Sequence, residues 1–124
     1  MKTVFVHGSR SISVLPQAAI NSLDKIMELN FHIIVGQCPG LETEVVNYLA
    51  KNNYQNLTVI YCKFDGSGSP KFRELPHIGL PGGYRVRNWY MTAIADYGLA
   101  IWDSKSKYTK QNIDAVPLTR VIAA

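Results

Sequence analysis

The sequence predicts a single three-layer α/β domain of Rossmann-like type, built on a mainly parallel β-sheet of four to five strands. Three observations predict it. Short β-rich runs alternate with segments of helical period in the order βαβαβ. The chain has 124 residues, near the usual size of one domain and too short for two, so residues 1–124 are expected to form one unit. Hydrophobic residues make up 47% and charged residues 18%, a balance that supports a packed core and excludes a disordered chain.

The elements follow in order. Residues 3–6 are a β-rich run ending at Gly8, read as a buried first strand. The opening segment lacks the long apolar core and small-residue cleavage site of a signal peptide, so a cytoplasmic protein is expected. No apolar run approaches the roughly 18 residues that would span a bilayer. Pro16 suits a helix start, and Ala19, Ile20, Leu23, Ile26 and Met27 then recur at helical spacing, with Asn30 as a stop. Residues 31–35 form a second buried strand, residues 42–50 a second helix and residues 57–62 a third strand. Residues 63–83 hold five of the nine glycines and three of the six prolines, which reads as a long loop or lid over the site. Residues 85–95 are a third helix, expected to pack through Val86, Trp89, Tyr90, Ala93 and Ile94. Residues 97–102 are a fourth strand and residues 109–115 a short helix. An edge strand over 120–123 is weakened by Pro117.

Bulk chemistry excludes several classes. Cys38 and Cys62 are too few for a disulfide scaffold, so free thiols are expected. No spacing suggests a metal site, and no cofactor is implied. Neither a P-loop nor a Gly-x-Gly-x-x-Gly fingerprint is present, so neither a P-loop ATPase nor a dinucleotide dehydrogenase is indicated. The net charge of +4 suits an anionic ligand or an ordinary solvated surface equally.

Four segments could carry chemistry. The loop His7-Gly8-Ser9-Arg10, with Ser11 after it, closes the first strand, where a glycine admits close backbone approach and an arginine fork suits phosphate; Gly8-Ser9-Arg10 alone reads as an ordinary surface turn, but its place directly after the strand favours the ligand site. Gly36 and Gly40 flank a turn before the second helix, a setting that favours anions. Glu42 and Glu44 then either stabilise the helix dipole or, for Glu42, face the crevice as a ribose ligand or a catalytic group. Cys38 in that turn reads as a small buried residue before it reads as a reactive thiol. Arg85, Arg87 and Asn88 open the third helix, where a cation is unfavourable unless an anion is near. Tyr84 or Trp89 could stack on a base, although Trp89 reads first as core. Asp103 ends the fourth strand, and Ser106, Lys107 and Thr109 suit a phosphate at the next helix start, or a solvated lysine-rich turn.

In this order the segments resemble the SLOG (SMF/DprA–LOG) superfamily, and within it the small YspA/YpsA-like proteins. The matching pieces are Gly8-Ser9-Arg10, Gly36-x-x-x-Gly40-x-Glu42, Arg87-Asn88-x-x-Met91, the run from Ala95 to Asp103, and Ser106-Lys107-x-Thr109-x-x-Asn112-Ile113. The resemblance implies a Rossmann-like fold and a nucleotide or nucleotide-derived ligand. The chain departs from it at Leu41, where the family has a small residue, at Glu42, where it has aspartate, and at Tyr108, where it has glycine. The chain is also short after Asn112. The cytokinin-activating members carry Pro-Gly-Gly-x-Gly-Thr-x-x-Glu. Here Pro81-Gly82-Gly83 leads into Tyr84-Arg85-Val86 with no such glutamate, so their phosphoribohydrolase activity is not implied.

Three functions are therefore expected in descending order. The first is a nucleotide-binding or sensing protein. The second is an N-glycosidic hydrolase or transferase with Glu42 as nucleophile or base and Asp96 or Asp103 orienting the sugar. The third is a single-stranded nucleic-acid binder using Tyr84, Trp89 and Tyr90. A homo-oligomer is a further expectation, and a membrane partner is not expected.

Overall fold

The computed structural model describes residues 1–63 and 69–124. The elements run β1 (Thr3–Gly8), α1 (Gln17–Glu28), β2 (His32–Gly36), α2 (Leu41–Lys51), β3 (Leu57–Cys62), β4 (His77–Leu80), α3 (Tyr84–Ile94), β5 (Tyr97–Trp102), α4 (Lys107–Ala115) and β6 (Thr119–Ala123). The sheet has six strands in the order β4-β3-β2-β1-β5-β6, and every neighbouring pair is parallel. The Rossmann-like α/β class is therefore present, with more strands than the sequence suggests.

Period-two alternation splits the strand side chains between two cores. Val4, Val6, Ile33, Val35, Leu57, Val59, Leu99 and Ile101 face α1 and α2, which bury Ala19, Leu23, Leu41, Val45, Val46 and Leu49 against them. Phe5, Ile34 and Ile60 face the other way, toward Met91 of α3 and Val116 after α4. Helices thus cover both faces, as a parallel sheet with buried central strands requires. Among the described residues, no helix is long and apolar enough to cross a membrane.

The chain winds outward from β1 through β2 and β3 to β4, then returns through α3 to pair β5 with the free side of β1. Val4 to Gly8 run in register with Tyr97 to Ile101. The strand order reverses at this pair, and in open parallel sheets the crevice beyond such a pair is the usual ligand position.

Three expectations need correction. The segment 63–83 is not one loop, because His77–Leu80 adds β4 to the edge of β3. Residues 64–68, part of the expected lid, lie outside the described residues. The edge strand forms in full as Thr119–Ala123. Pro117 precedes it, so no ladder donor is lost. The packing face of α3 is also different. Arg87 and Met91 are its buried residues, whereas Val86, Trp89 and Ile94 are exposed, Trp89 by 71%. An i, i+4 pair with one arginine in it is invisible to a search for apolar period.

This orientation has a measurable consequence. Met91→Ala is expected to cost about 2–5 kcal/mol in urea denaturation, as for other buried methionines. Trp89→Ala is expected to stay within about 0.5 kcal/mol, as for an exposed site. The reverse ranking would contradict the rotation of α3.

Candidate functional site

Beyond the carboxyl ends of β1 and β5 lies a crevice of about 1070 Å³, walled by the loops after β1, β2 and β5 and by α3 and α4. Its floor is the junction of β1 and β5. Ser9 N donates to the Ile101 carbonyl (3.0 Å), and Asp103 N donates to Ser9 Oγ (3.1 Å). The Ser11 hydroxyl donates to Asp103 Oδ2 (2.7 Å). Asp103 Oδ1 also accepts from Lys105 N and Ser106 N, both at 2.8 Å. These donors, Ser106 N first and the Ser11 hydroxyl next, hold the Asp103 carboxyl well below the usual carboxylate range. Asp103 is thus an ionised bracket that shapes the turn into α4. Ser106 caps that helix, its Oγ accepting from Thr109 N (3.4 Å) and the Thr109 hydroxyl (3.1 Å).

The glycines assemble the walls. Gly40 has φ +88°, a left-handed value that favours glycine, and a Cβ there would stand 2.5 Å from the Arg10 carbonyl oxygen. The loop before α2 therefore packs directly on the loop after β1. A Cβ on Gly8 would collide with Leu41 Cδ2 and the Ile101 carbonyl. Leu41, fully buried, occupies the space that Gly8 leaves. Gly36 makes room for Arg87, whose Cζ would lie 2.9 Å from an added Cβ.

Glu42 sits in the first turn of α2 and is only 8% exposed. Its Oε1 accepts from Gly8 N (3.3 Å), and its Oε2 is buried with no hydrogen-bond partner among the described residues. Burial pushes the carboxyl up to about 7, against the opposing pull of backbone donors and of the Arg87 and Arg10 charges. Arg87 is nearly buried. Its Nη1 donates to the Gln37 carbonyl (3.1 Å) and its Nη2 to Cys38 Sγ (2.8 Å), while Nε has no partner among the described residues. Its guanidinium lies 4.6 Å from the Tyr84 ring centroid, and that of Arg10 lies 5.4 Å from the same ring. The phenol thus spaces two cations around one opening.

His7 ends the inner face of β1. It is 2% exposed, its ring is 4.5 Å from that of Phe5, and neither nitrogen has a partner among the described residues. Burial lowers it to about 4, so it is neutral at physiological pH. Each buried polar atom left unpaired costs about 1–3 kcal/mol, so unpartnered atoms on three neighbouring side chains are an unusual concentration.

The structure brings most sequence-picked residues together. Gly8, Arg10, Glu42, Arg87, Asn88, Asp103, Ser106 and Thr109 all line the crevice. Ser9, Gly36, Gly40 and Lys107 do not line it. Ser9 is buried and joins the β1 and β5 loops, and Lys107 is exposed at the start of α4. Arg85, Tyr84 and Trp89 line it from α3, and Tyr108 from α4. The described part of residues 63–83 does not line it. Gln37 instead pins that segment from behind, its amide bonded to the Ser69 carbonyl (3.0 Å) and Lys71 N (2.7 Å). His7 heads the loop that the sequence points to, but sequence reasoning gives it no role of its own. The available signal was a polar side chain two positions after Phe5, on the inner face of an otherwise apolar strand.

No protein family, curated protein or solved structure matches this chain.

The opposite pKa shifts of Glu42 and His7 predict a specific pH dependence. A carboxyl raised from 4.5 to about 7 adds stability below pH 4.5 that is lost as pH rises through 7. An imidazole lowered from 6.5 to about 4 acts oppositely, because the unfolded chain takes the proton first and stability rises with pH across that window. Relative to wild type, Glu42→Gln should therefore gain stability as pH rises from 4.5 to 7, by on the order of 3 kcal/mol at about 1.4 kcal/mol per pH unit. His7→Phe should lose stability relative to wild type between pH 4 and 6.5. Denaturant unfolding at several pH values measures both, and pH-independent differences would contradict the assignment.

Proposed function

We propose that the chain binds a nucleotide or nucleotide-derived ligand in the crevice beyond β1 and β5, as the SLOG resemblance implies. One observation carries the reading. A single cavity joins two guanidiniums spaced by an aromatic ring, a capped helix N-terminus, and a buried carboxyl with an unpartnered oxygen. A nucleotide needs this combination of an anion site, a polar site for the sugar and a flat apolar surface for the base. Arg10 is the natural phosphate ligand, because it is exposed and takes part in neither ion pair of the described residues. Arg87 supports the site from behind, its Nη atoms already bonded to Gln37 and Cys38 in the loop after β2.

Calorimetry with nucleotides, nicotinamide dinucleotides and ADP-ribose tests the reading. At least one should bind, and Arg10→Ala should weaken that binding about tenfold or more without lowering the melting temperature, because a charge-assisted bond is worth about 1.5–3 kcal/mol. No binding at millimolar ligand by folded protein would sink it.

A second reading has its own observation. A carboxyl titrating near 7 with one oxygen unpartnered is suited to act as nucleophile or base in N-glycosidic cleavage. If so, base release from nucleosides or nucleotides should fall by about 100-fold or more in Glu42→Gln, the scale typical of lost acid–base catalysis. Equal rates in the two proteins would remove Glu42 from any such mechanism.

A further inference from the structure

We infer that His7, together with Glu42, forms a subsite for a vicinal diol, so that the crevice takes a ribose inward with its phosphate directed outward. This rests on the nucleotide reading and adds the orientation of the ligand and the residue that selects it.

A neutral imidazole offers one N–H donor and one acceptor nitrogen, and both are unpartnered in His7. Glu42 Oε2 offers an acceptor. The two side chains line the same crevice, and Glu42 Oε1 is bonded to the amide of Gly8, the residue directly after His7. Together these buried side chains offer two acceptors and one donor among residues that line one crevice.

A phosphate fits that set poorly. Its oxygens mainly accept, so the acceptor nitrogen of His7 and, in its ionised form, Glu42 Oε2 would stay unpaired. An apolar group would leave all three atoms unpaired. Two adjacent hydroxyls supply two donors and retain acceptor lone pairs, which satisfies all three. The cation and helix N-terminus lie elsewhere in the crevice, at Arg10 and at Ser106 to Thr109. Charge thus separates the two ends: an anion is favoured at Arg10 and α4, and a neutral polar group at His7 and Glu42. Ala100 is the β5 partner of His7, a small side chain beside the imidazole.

The test compares ribose 5-phosphate, 2-deoxyribose 5-phosphate and inorganic phosphate by calorimetry on the intact chain. Wild type should bind ribose 5-phosphate at least tenfold more tightly than the deoxy sugar. In His7→Phe that ratio should fall to near one, while the Kd for inorganic phosphate changes by less than twofold. His7→Gln, which keeps a donor and an acceptor, should retain part of the preference. Equal affinity of wild type for the two sugars overturns the inference even if neither variant folds. A preference that survives His7→Phe overturns it as well. If phosphate binds and the sugars are not distinguished, only the diol subsite falls. If none of the three ligands binds wild type, the diol subsite falls, and the nucleotide reading is decided separately by the nucleotide panel.

Discussion

The parallel pairing of β1 with β5 is the constraint on which the rest of the structure depends. The two strands are adjacent in the sheet but separated in the chain by three strands and three helices. Because β1 sends its chain to one face of the sheet and β5 sends its chain to the other, their exits diverge and open the crevice between them. The divergence is held by short polar links, from Ser9 to Asp103 and from Ser11 to Asp103. Asp103 in turn sets the start of α4. A small number of hydrogen bonds thus carries the order of the strands into the geometry of the site.

Close approach completes the walls. Leu41 fills the space above Gly8, and the Gly40 backbone rests against the backbone of Arg10. The loops after β1 and β2 are therefore one packed body, and Arg10 is presented from a supported base. The missing Cβ of Gly8 is what accommodates a side chain as large as that of Leu41.

The electrostatics of the crevice are balanced rather than simply cationic. Burial raises Glu42 and lowers His7, so both groups approach neutrality at pH values where each would otherwise carry charge. Arg87 remains a buried cation because the Gln37 carbonyl, the Cys38 sulfur and the Tyr84 ring take the place of water. The part of the site at His7 and Glu42 is thus polar with little charge of its own, while Arg87 and, at the opening, Arg10 are positive.

Much of the fold was legible in the sequence. The strands Leu57–Cys62 and Tyr97–Trp102 follow directly from continuous β-rich runs, and the helix periods of α1 and α2 match their buried faces. β4 was hidden, because His77–Leu80 is a four-residue edge strand with little burial in a segment rich in glycine and proline. The face of α3 was misread because Trp89 looks like core and Arg87 does not. Gln37 and Cys38 in the loop after β2, and the Tyr84 ring, offer Arg87 partners that local sequence cannot reveal. Glycine positions, the Arg10 loop and the Asp103–Ser106 turn were determined by the sequence itself, since turn chemistry and capping are local. Only tertiary structure decided that Gly8 and Gly36 make room for Leu41 and Arg87, and that His7 and Glu42 line one crevice with unpartnered atoms. The reason is physical: burial and missing partners are properties of what surrounds a side chain, and those surroundings come from residues distant in the sequence.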